Sequence, residues 1–190
     1  AGPAGGSDRV PTGTSAAPRN SSSEPARTPD DAPVSAAPDS LESVPRTVRI
    51  ASVNVNGIRA AARKGMHDWL ATAGVDVLTL QEVRAEASDL AAALPGWHIA
   101  GDEALAKGRA GVAIATREPF DVWRVELGDE ALDSKGRWVE ADIEVDGETV
   151  TVVSAYVFTG EAGTEKQVAK YAFLDAMEER MPHLGDLALI

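Results

Sequence analysis

The sequence predicts a mixed α/β fold on three observations. From Thr47 to Gly96, short apolar runs alternate with segments of helical period. From Trp97 to Val157, five strand-like segments follow one another without an intervening helix. Ahead of Thr47 the composition changes to one that cannot build a core. A doubly wound fold alternates helix and strand throughout. Consecutive strands in the middle therefore point to a sheet with antiparallel pairs.

The elements follow in order. Val48, Ile50 and Val53 to Val55 suit a buried strand, closed by Asn54-Val55-Asn56-Gly57. A helix is predicted over Ile58 to Ala73, with Ala62, Met66, Trp69 and Leu70 at helical spacing and Gly74 as its stop. Val75 to Leu80 is a second strand with polar flanks. A short helix covers Ala87 to Leu94, closed by Pro95-Gly96. The strand-like run comprises Trp97 to Ala100, Gly111 to Thr116, Val122 to Leu127, Arg137 to Val145 and Thr149 to Val157. Asp146-Gly147 is the clearest hairpin turn among the links, because both residue types tolerate the positive φ that a tight turn needs. A helix over Thr164 to Glu179 comes next, then a strand begins at Leu187-Ala188-Leu189-Ile190.

Residues 1–46 read as a disordered Pro/Ala/Ser-rich tail. Eight of the eleven prolines lie there, with no aromatic residue and few aliphatics. Such a segment buries too little apolar area to offset its chain entropy. Four basic and six acidic residues fall in it, so most of the net charge of −12 belongs to residues 47–190. Taken alone, that acidity argues against nucleic acid, which normally meets a basic footprint. A local basic strip is still compatible with it, and carboxylates that hold a cation add negative charge. With no Cys, neither a disulfide framework nor a thiolate metal site is available. That composition suits a reducing cytoplasm. No apolar run approaches the ~20 residues of a membrane helix, so no membrane partner is expected. A start at Ala1 suggests a fragment or a processed form.

Three segments carry candidate chemistry. In Ser52-Val53-Asn54-Val55-Asn56-Gly57-Ile58-Arg59, an Asn at a strand end can offer its carbonyl oxygen to a hard cation; in isolation the segment reads first as an Asx turn closing the strand. In Leu80-Gln81-Glu82-Val83-Arg84, the carboxylate of Glu82 follows an apolar strand, where loops build sites. It suits Mg²⁺, which takes oxygen ligands and only one or two carboxylates; it also suits a solvated residue capping the next helix. In Ser154-Ala155-Tyr156-Val157, the phenol can bond a phosphate oxygen or simply sit at the rim of the core.

Together the three segments resemble the exodeoxyribonuclease III and apurinic/apyrimidinic (AP) endonuclease branch of the endonuclease/exonuclease/phosphatase superfamily. Further matches lie between and after them. Lys107-Gly108-Arg109-Ala110-Gly111-Val112-Ala113-Ile114 resembles the central Gly-x-x-Gly-Val strand, and Gly136-Arg137-Trp138-Val139-Glu140 the Gly-Arg strand start. Lys170 and Phe173 resemble the Lys-x-x-Phe of the helix after the tyrosine. The resemblance runs from Val48 to the chain end and covers about the first half of a family domain.

The resemblance implies a four-layered α/β sandwich, two packed mixed sheets flanked by helices, present here in truncated form. It implies metal-site roles for Asn54 and Glu82, a catalytic role at the scissile phosphate for Tyr156, and DNA or outer-shell roles for Asn56 and Arg84. It implies Mg²⁺ as cofactor, with Mn²⁺ as the alternative, and double-stranded DNA with abasic sites or 3′ ends as partner. A monomer when complete, and a bacterial-type cytoplasmic setting in base excision repair, follow from the same likeness. There are departures. Gly185-Asp186 is followed by Leu187-Ala188 and reads as a turn rather than the family's Gly-Asp-x-Asn, and the late Asp-His pair is absent. His67, His98 and His183 have no matching context and read as surface or helix-edge residues. Phe158-Thr159 replaces a Pro-containing turn. Two functions are compatible with this pattern: a Mg²⁺-dependent repair nuclease present as a fragment that is inactive alone, and a non-catalytic DNA-binding or interaction module. A phosphodiesterase of lipid or sugar phosphates is a third, disfavoured by the Gly-Arg start and the Lys-x-x-Phe helix.

Overall fold

The computed structural model describes residues 46–190 apart from Lys107 and Ser134. The disorder expected of residues 1–46 concerns a segment outside the described residues, with Arg46 as the exception. Its backbone N–H bonds the Asp146 carboxylate at 2.8 Å, so the fold begins one residue earlier than expected.

Strands β1 (Ile50–Asn54), β2 (Val77–Gln81), β3 (His98–Asp102) and β4 (Val112–Thr116) make one sheet in the order β1-β2-β4-β3. β1 and β2 are parallel, with Asn54 opposite Gln81; β4 is antiparallel to both β2 and β3. Strands β5 (Val122–Arg124), β6 (Trp138–Val145), β7 (Glu148–Ala155) and β8 (Ala188–Leu189) make the second, in that order. Here β5-β6 and β6-β7 are antiparallel and β7-β8 is parallel. Each sheet is thus mixed.

Alternation of side chains along each strand assigns the layers. Val77, Ala100, Val112 and Ile114 from the first sheet pack against Val139, Ala141, Ile143 and Val152 from the second. The opposite face of the first sheet offers Leu78, Leu80, Ala113 and Ala115 to helices α1 (Ile58–Arg63), α2 (Met66–Ala73) and α3 (Ala87–Ala93). The opposite face of the second offers Trp138 and Val153 to α5 (Glu165–Arg180), through Phe173 and Ala176. The order is helices, sheet, sheet, helix: the four-layered sandwich.

Several details differ from the sequence reading. The helix expected over 58–73 is two helices, because Gly65 takes a left-handed φ of 95° and ends the first. Of the residues at helical spacing, Trp69 is 42% exposed, whereas Met66 and Leu70 are buried. The strand expected to run to Leu127 stops at Arg124, and Leu127 instead donates its N–H to Asp133 at 2.6 Å. Asp133 belongs to α4 (Glu130–Asp133), a single turn with no periodicity long enough to be read. The Asp146-Gly147 turn joins β6 to β7 as expected, with φ of 52° and 85°. No described helix is long and apolar enough to cross a membrane.

Candidate active site

The site lies where β1, β2 and β7 end together. Asn54 closes β1, and Glu82 follows β2 directly. Because the two strands are neighbours in register, both side chains emerge at one edge. Asn54 Nδ2 donates to Glu82 Oε1 at 2.8 Å. Tyr156, one residue past β7 in the other sheet, donates its hydroxyl to the same oxygen at 2.8 Å. The Arg84 guanidinium pairs with Glu82 Oε2. Three segments far apart in sequence therefore converge on one carboxylate. Asn54 Oδ1 accepts the Asn56 backbone N–H at 3.1 Å, which fixes the amide with its nitrogen toward Glu82. Asn56 joins through its main chain and is itself exposed.

These bonds set the charge states. The Glu82 carboxyl is held below the usual carboxylate range, chiefly by the Asn54 N–H, then by the Tyr156 hydroxyl and the Arg84 charge. It is an anion at neutral pH. The Tyr156 phenol is pushed up, first by burial and then by the Glu82 carboxylate, so it keeps its proton as a donor.

The loop around Glu82 is held in an unusual backbone conformation. Asn56, Glu82, Arg84 and Ala110 all have positive φ, between 46° and 53°. Such non-glycine conformations cost about 1–3 kcal/mol each and persist where the surroundings enforce them. Main-chain bonds do so here. Gly57 N–H reaches Glu82 O at 2.7 Å, Ile58 N–H reaches Val83 O at 2.9 Å, and Val83 and Arg84 donate to Gly111 and Ala110.

Sequence reasoning missed the supports. Gln81 donates to Ser52 and Ser154, each at 3.2 Å, and Ser154 donates to Leu80 O at 3.0 Å. The two Ser154 bonds join the sheets to each other, and the Ser52 bond ties β2 to β1. Arg137 stood in the Gly-Arg segment without an assigned role. Its guanidinium donates to Tyr156 O at 2.8 Å and lies over the rings of Tyr156 and Phe158, at 4.7 and 3.8 Å. The signal for Arg137 was its place after Gly136; nothing in the sequence marks the serines.

Arg84 lines a groove of about 730 Å³ with Arg59, Ser88, Asp89, Glu103 and Arg109. Asn54 lines another of about 320 Å³ with Lys64, Met66 and Trp69. Glu82 and Tyr156 line neither, and the Glu82 side chain is only 14% exposed. Among the described residues, no group of three His, Cys, Asp or Glu side chains is placed to share a metal ion. His67, His98 and His183 are all exposed, and His67 bonds Ala93 O at 2.7 Å.

Solved structures of known proteins share this arrangement of sheets. An AP endonuclease from Archaeoglobus fulgidus is 28% identical with a TM-score of 0.62, over 74% of this chain and 53% of that one. A 3′ phosphatase from Neisseria, bound to a product DNA hairpin, is 28% identical with a TM-score of 0.62, over 74% and 55%. A 3′-5′ exonuclease from Neisseria meningitidis is 27% identical with a TM-score of 0.57, over 73% and 54%. The chain thus spans about half the length of the solved structures it matches. The family model described as the endonuclease/exonuclease/phosphatase family matches residues 51–186, which is most of the chain and includes every site residue above. The chain belongs to that family.

Proposed function

We propose that the protein is a Mg²⁺-dependent phosphodiesterase acting on double-stranded DNA, of the AP endonuclease and 3′-5′ exonuclease type. The observation that carries this reading is the convergence of Asn54, Glu82 and Tyr156, from three strands in two sheets, on one ionised carboxylate. A structural carboxylate needs partners, but it does not need a strained loop and two sheet ends to bring them. The substrate class comes from the nucleases and the DNA-bound phosphatase that the chain resembles.

The donor set suits a hard divalent cation. The Glu82 carboxylate, completed by water, matches the preference of Mg²⁺ for oxygen ligands and few carboxylates; Asn54 Oδ1 would join only if the amide turned over, since its nitrogen faces Glu82. Glu82 would hold the ion, with Asn54 beside it. When bound, such an ion polarises a phosphodiester and takes up charge on the leaving oxygen. The chain's own groups do the rest. Tyr156 stays protonated and offers its hydroxyl to a phosphate oxygen when it releases Glu82. Arg84 supplies a positive charge at the same edge. Asn56 and Gly57 shape the turn that presents Asn54.

The test is incision of a 5′-labelled duplex bearing one tetrahydrofuran abasic analogue, by the product of the complete coding sequence. A nick 5′ to the analogue is expected in Mg²⁺, with none in EDTA and a loss of at least about 100-fold in Glu82→Gln. An uncut duplex, or full incision by Glu82→Gln, overturns the reading.

A further inference from the structure

We propose that Asp102 is a positioning residue for Tyr156 and that it acts through Arg137. The proposal deepens the nuclease reading and rests on it for its catalytic meaning. Its geometry is independent of that reading.

Asp102 is the last residue of β3, on the far side of the first sheet from Asn54. Its carboxylate accepts the backbone N–H of Arg137 at 3.0 Å, and it also meets the N–H of Trp138. Arg137 is then bound to Tyr156 in three ways. Its carbonyl accepts the Tyr156 N–H at 2.9 Å, its guanidinium donates to the Tyr156 carbonyl at 2.8 Å, and the same guanidinium lies over the phenol ring. The phenol in turn donates to Glu82. One unbroken path leads from a carboxylate outside the candidate site to the hydroxyl inside it. The segment carrying Arg137 has little freedom otherwise. Gly136 has a φ of 62°, and a Cβ there would stand 2.8 Å from the Glu103 carbonyl carbon. Gly136 O accepts the Gly111 N–H at 2.9 Å, and Gly111 O accepts from Val83, next to Glu82.

The groups facing Asp102 are the two N–H donors of Arg137 and Trp138, Glu103 on its own strand end, and Asp133 from α4. Burial outweighs the donors, and the two acidic neighbours add to it, so the Asp102 carboxyl is pushed up to about 6. An ionised acceptor holds an N–H roughly twice as strongly as a neutral one. As pH falls through about 6, Asp102 gains a proton and its hold on Arg137 weakens. The Arg137 guanidinium, which stays charged, then shifts against the Tyr156 ring.

The chain contains two tyrosines, Tyr156 and Tyr171, and Tyr171 is exposed on α5. Tyr171→Phe leaves Tyr156 as the single reporter. In that background the ring signals of ¹³C-tyrosine are followed by NMR from pH 4.5 to 8, alongside the ¹³C signal of the Asp102 carboxyl. The ring signals are expected to move with one inflection, sharing the Asp102 midpoint, and to be flat over that range in Asp102→Asn. An inflection that survives in Asp102→Asn, a ring that never responds, or wild-type midpoints that differ would each overturn the proposal. The shared midpoint is read without the variant, so poor folding of Asp102→Asn leaves the test intact. No DNA or turnover enters the measurement. Failure of incision with a coincident titration would sink the nuclease reading alone; incision with no titration would sink this one alone.

Discussion

Carboxylates of this protein titrate in opposite senses, and each sense has a local cause. Glu140 is fully buried, yet its carboxyl is held down: burial raises it, but bonds from Arg180, Arg124 and the Trp138 indole more than offset that. Arg180 meets it with two nitrogens, at 2.6 and 2.7 Å, and Arg124 with a third at 2.7 Å. A folded-state value below the unfolded 4.5 gives stability that is present above that value and lost as pH falls through the folded one. Glu140→Gln leaves two arginines facing a neutral amide. It is expected to cost about 3–5 kcal/mol at pH 7, read from urea midpoints, since breaking a buried pair strands its partners. The difference from wild type should shrink as pH falls from 4.5 through the lower folded-state value. Asp102 behaves oppositely. Its folded value near 6 lies above the unfolded 3.8, so its contribution weakens stability as pH rises between the two. At Glu82, Glu82→Gln removes the charge that helps raise the Tyr156 phenol, and the absorbance titration of Tyr156 near 295 nm should shift to lower pH. An unchanged midpoint would mean that the phenol does not feel this carboxylate. Sequence made Asn54, Glu82 and Tyr156 legible because each stands at a strand end inside a recognisable motif. Asp102 and Glu140 were not, because their partners are backbone N–H groups or arginines 16 and 40 residues away.

Among the elements, glycines decide what the apolar pattern leaves open. The pattern placed both sheets' inner strands correctly, since period-2 alternation and buried runs specify strands strongly. It merged α1 with α2, because Lys64-Gly65 interrupts neither the spacing of Ala62 and Met66 nor the polar face. Only the φ of 95° at Gly65 shows the break. Two other glycines give a contrast that can be measured. Gly147, in the β6-β7 turn, has a φ of 85° and open space where a Cβ would go. Gly136 has a comparable φ of 62°, but main-chain atoms of Glu103 and Ala104 occupy that space. Gly147→Ala should cost about 1 kcal/mol from backbone strain alone. Gly136→Ala adds a collision with main chain that cannot rotate away, and should cost more, by about 1–3 kcal/mol. Equal urea midpoints for the two variants would show that the 103–104 segment yields freely. Gly136→Ala should also disturb the Tyr156 ring signals, because Arg137 follows directly, whereas Gly147→Ala should leave them in place.

At the scale of the whole molecule, charge and ligand count bound what the 190-residue chain does by itself. A net charge of −12 gives duplex DNA no general attraction, so any affinity must come from local cations such as Arg59, Arg84 and Arg109 along the groove beside the site. The proposed cation site rests on the Glu82 carboxylate, and among the described residues no group of three acidic, imidazole or thiol side chains is placed to share an ion. Part of its capacity is already engaged by Asn54, Tyr156 and Arg84, which a bound ion must displace or share. Mg²⁺ is therefore expected to bind on the order of millimolar, with oxygen ligands few and mostly water. Mn²⁺ can report the same site by paramagnetic broadening of amide signals, which should concentrate at residues 54–57, 82–84 and 156 and vanish in Glu82→Gln. Broadening elsewhere, or affinity tighter than ~10 µM, would show that other ligands make the site. Turnover should be weaker still. Groups that act as a unit leave only residual catalysis when several are missing. Among the described residues, the side chains bonded to Glu82 are those of Asn54, Tyr156 and Arg84, and none is a histidine. In a duplex-incision assay, the purified 190-residue chain should show no EDTA-sensitive cleavage near the ~1 s⁻¹ of ordinary enzymes. Cleavage at that rate, abolished in Glu82→Gln, would mean that Asn54, Glu82, Tyr156 and Arg84 suffice for the chemistry.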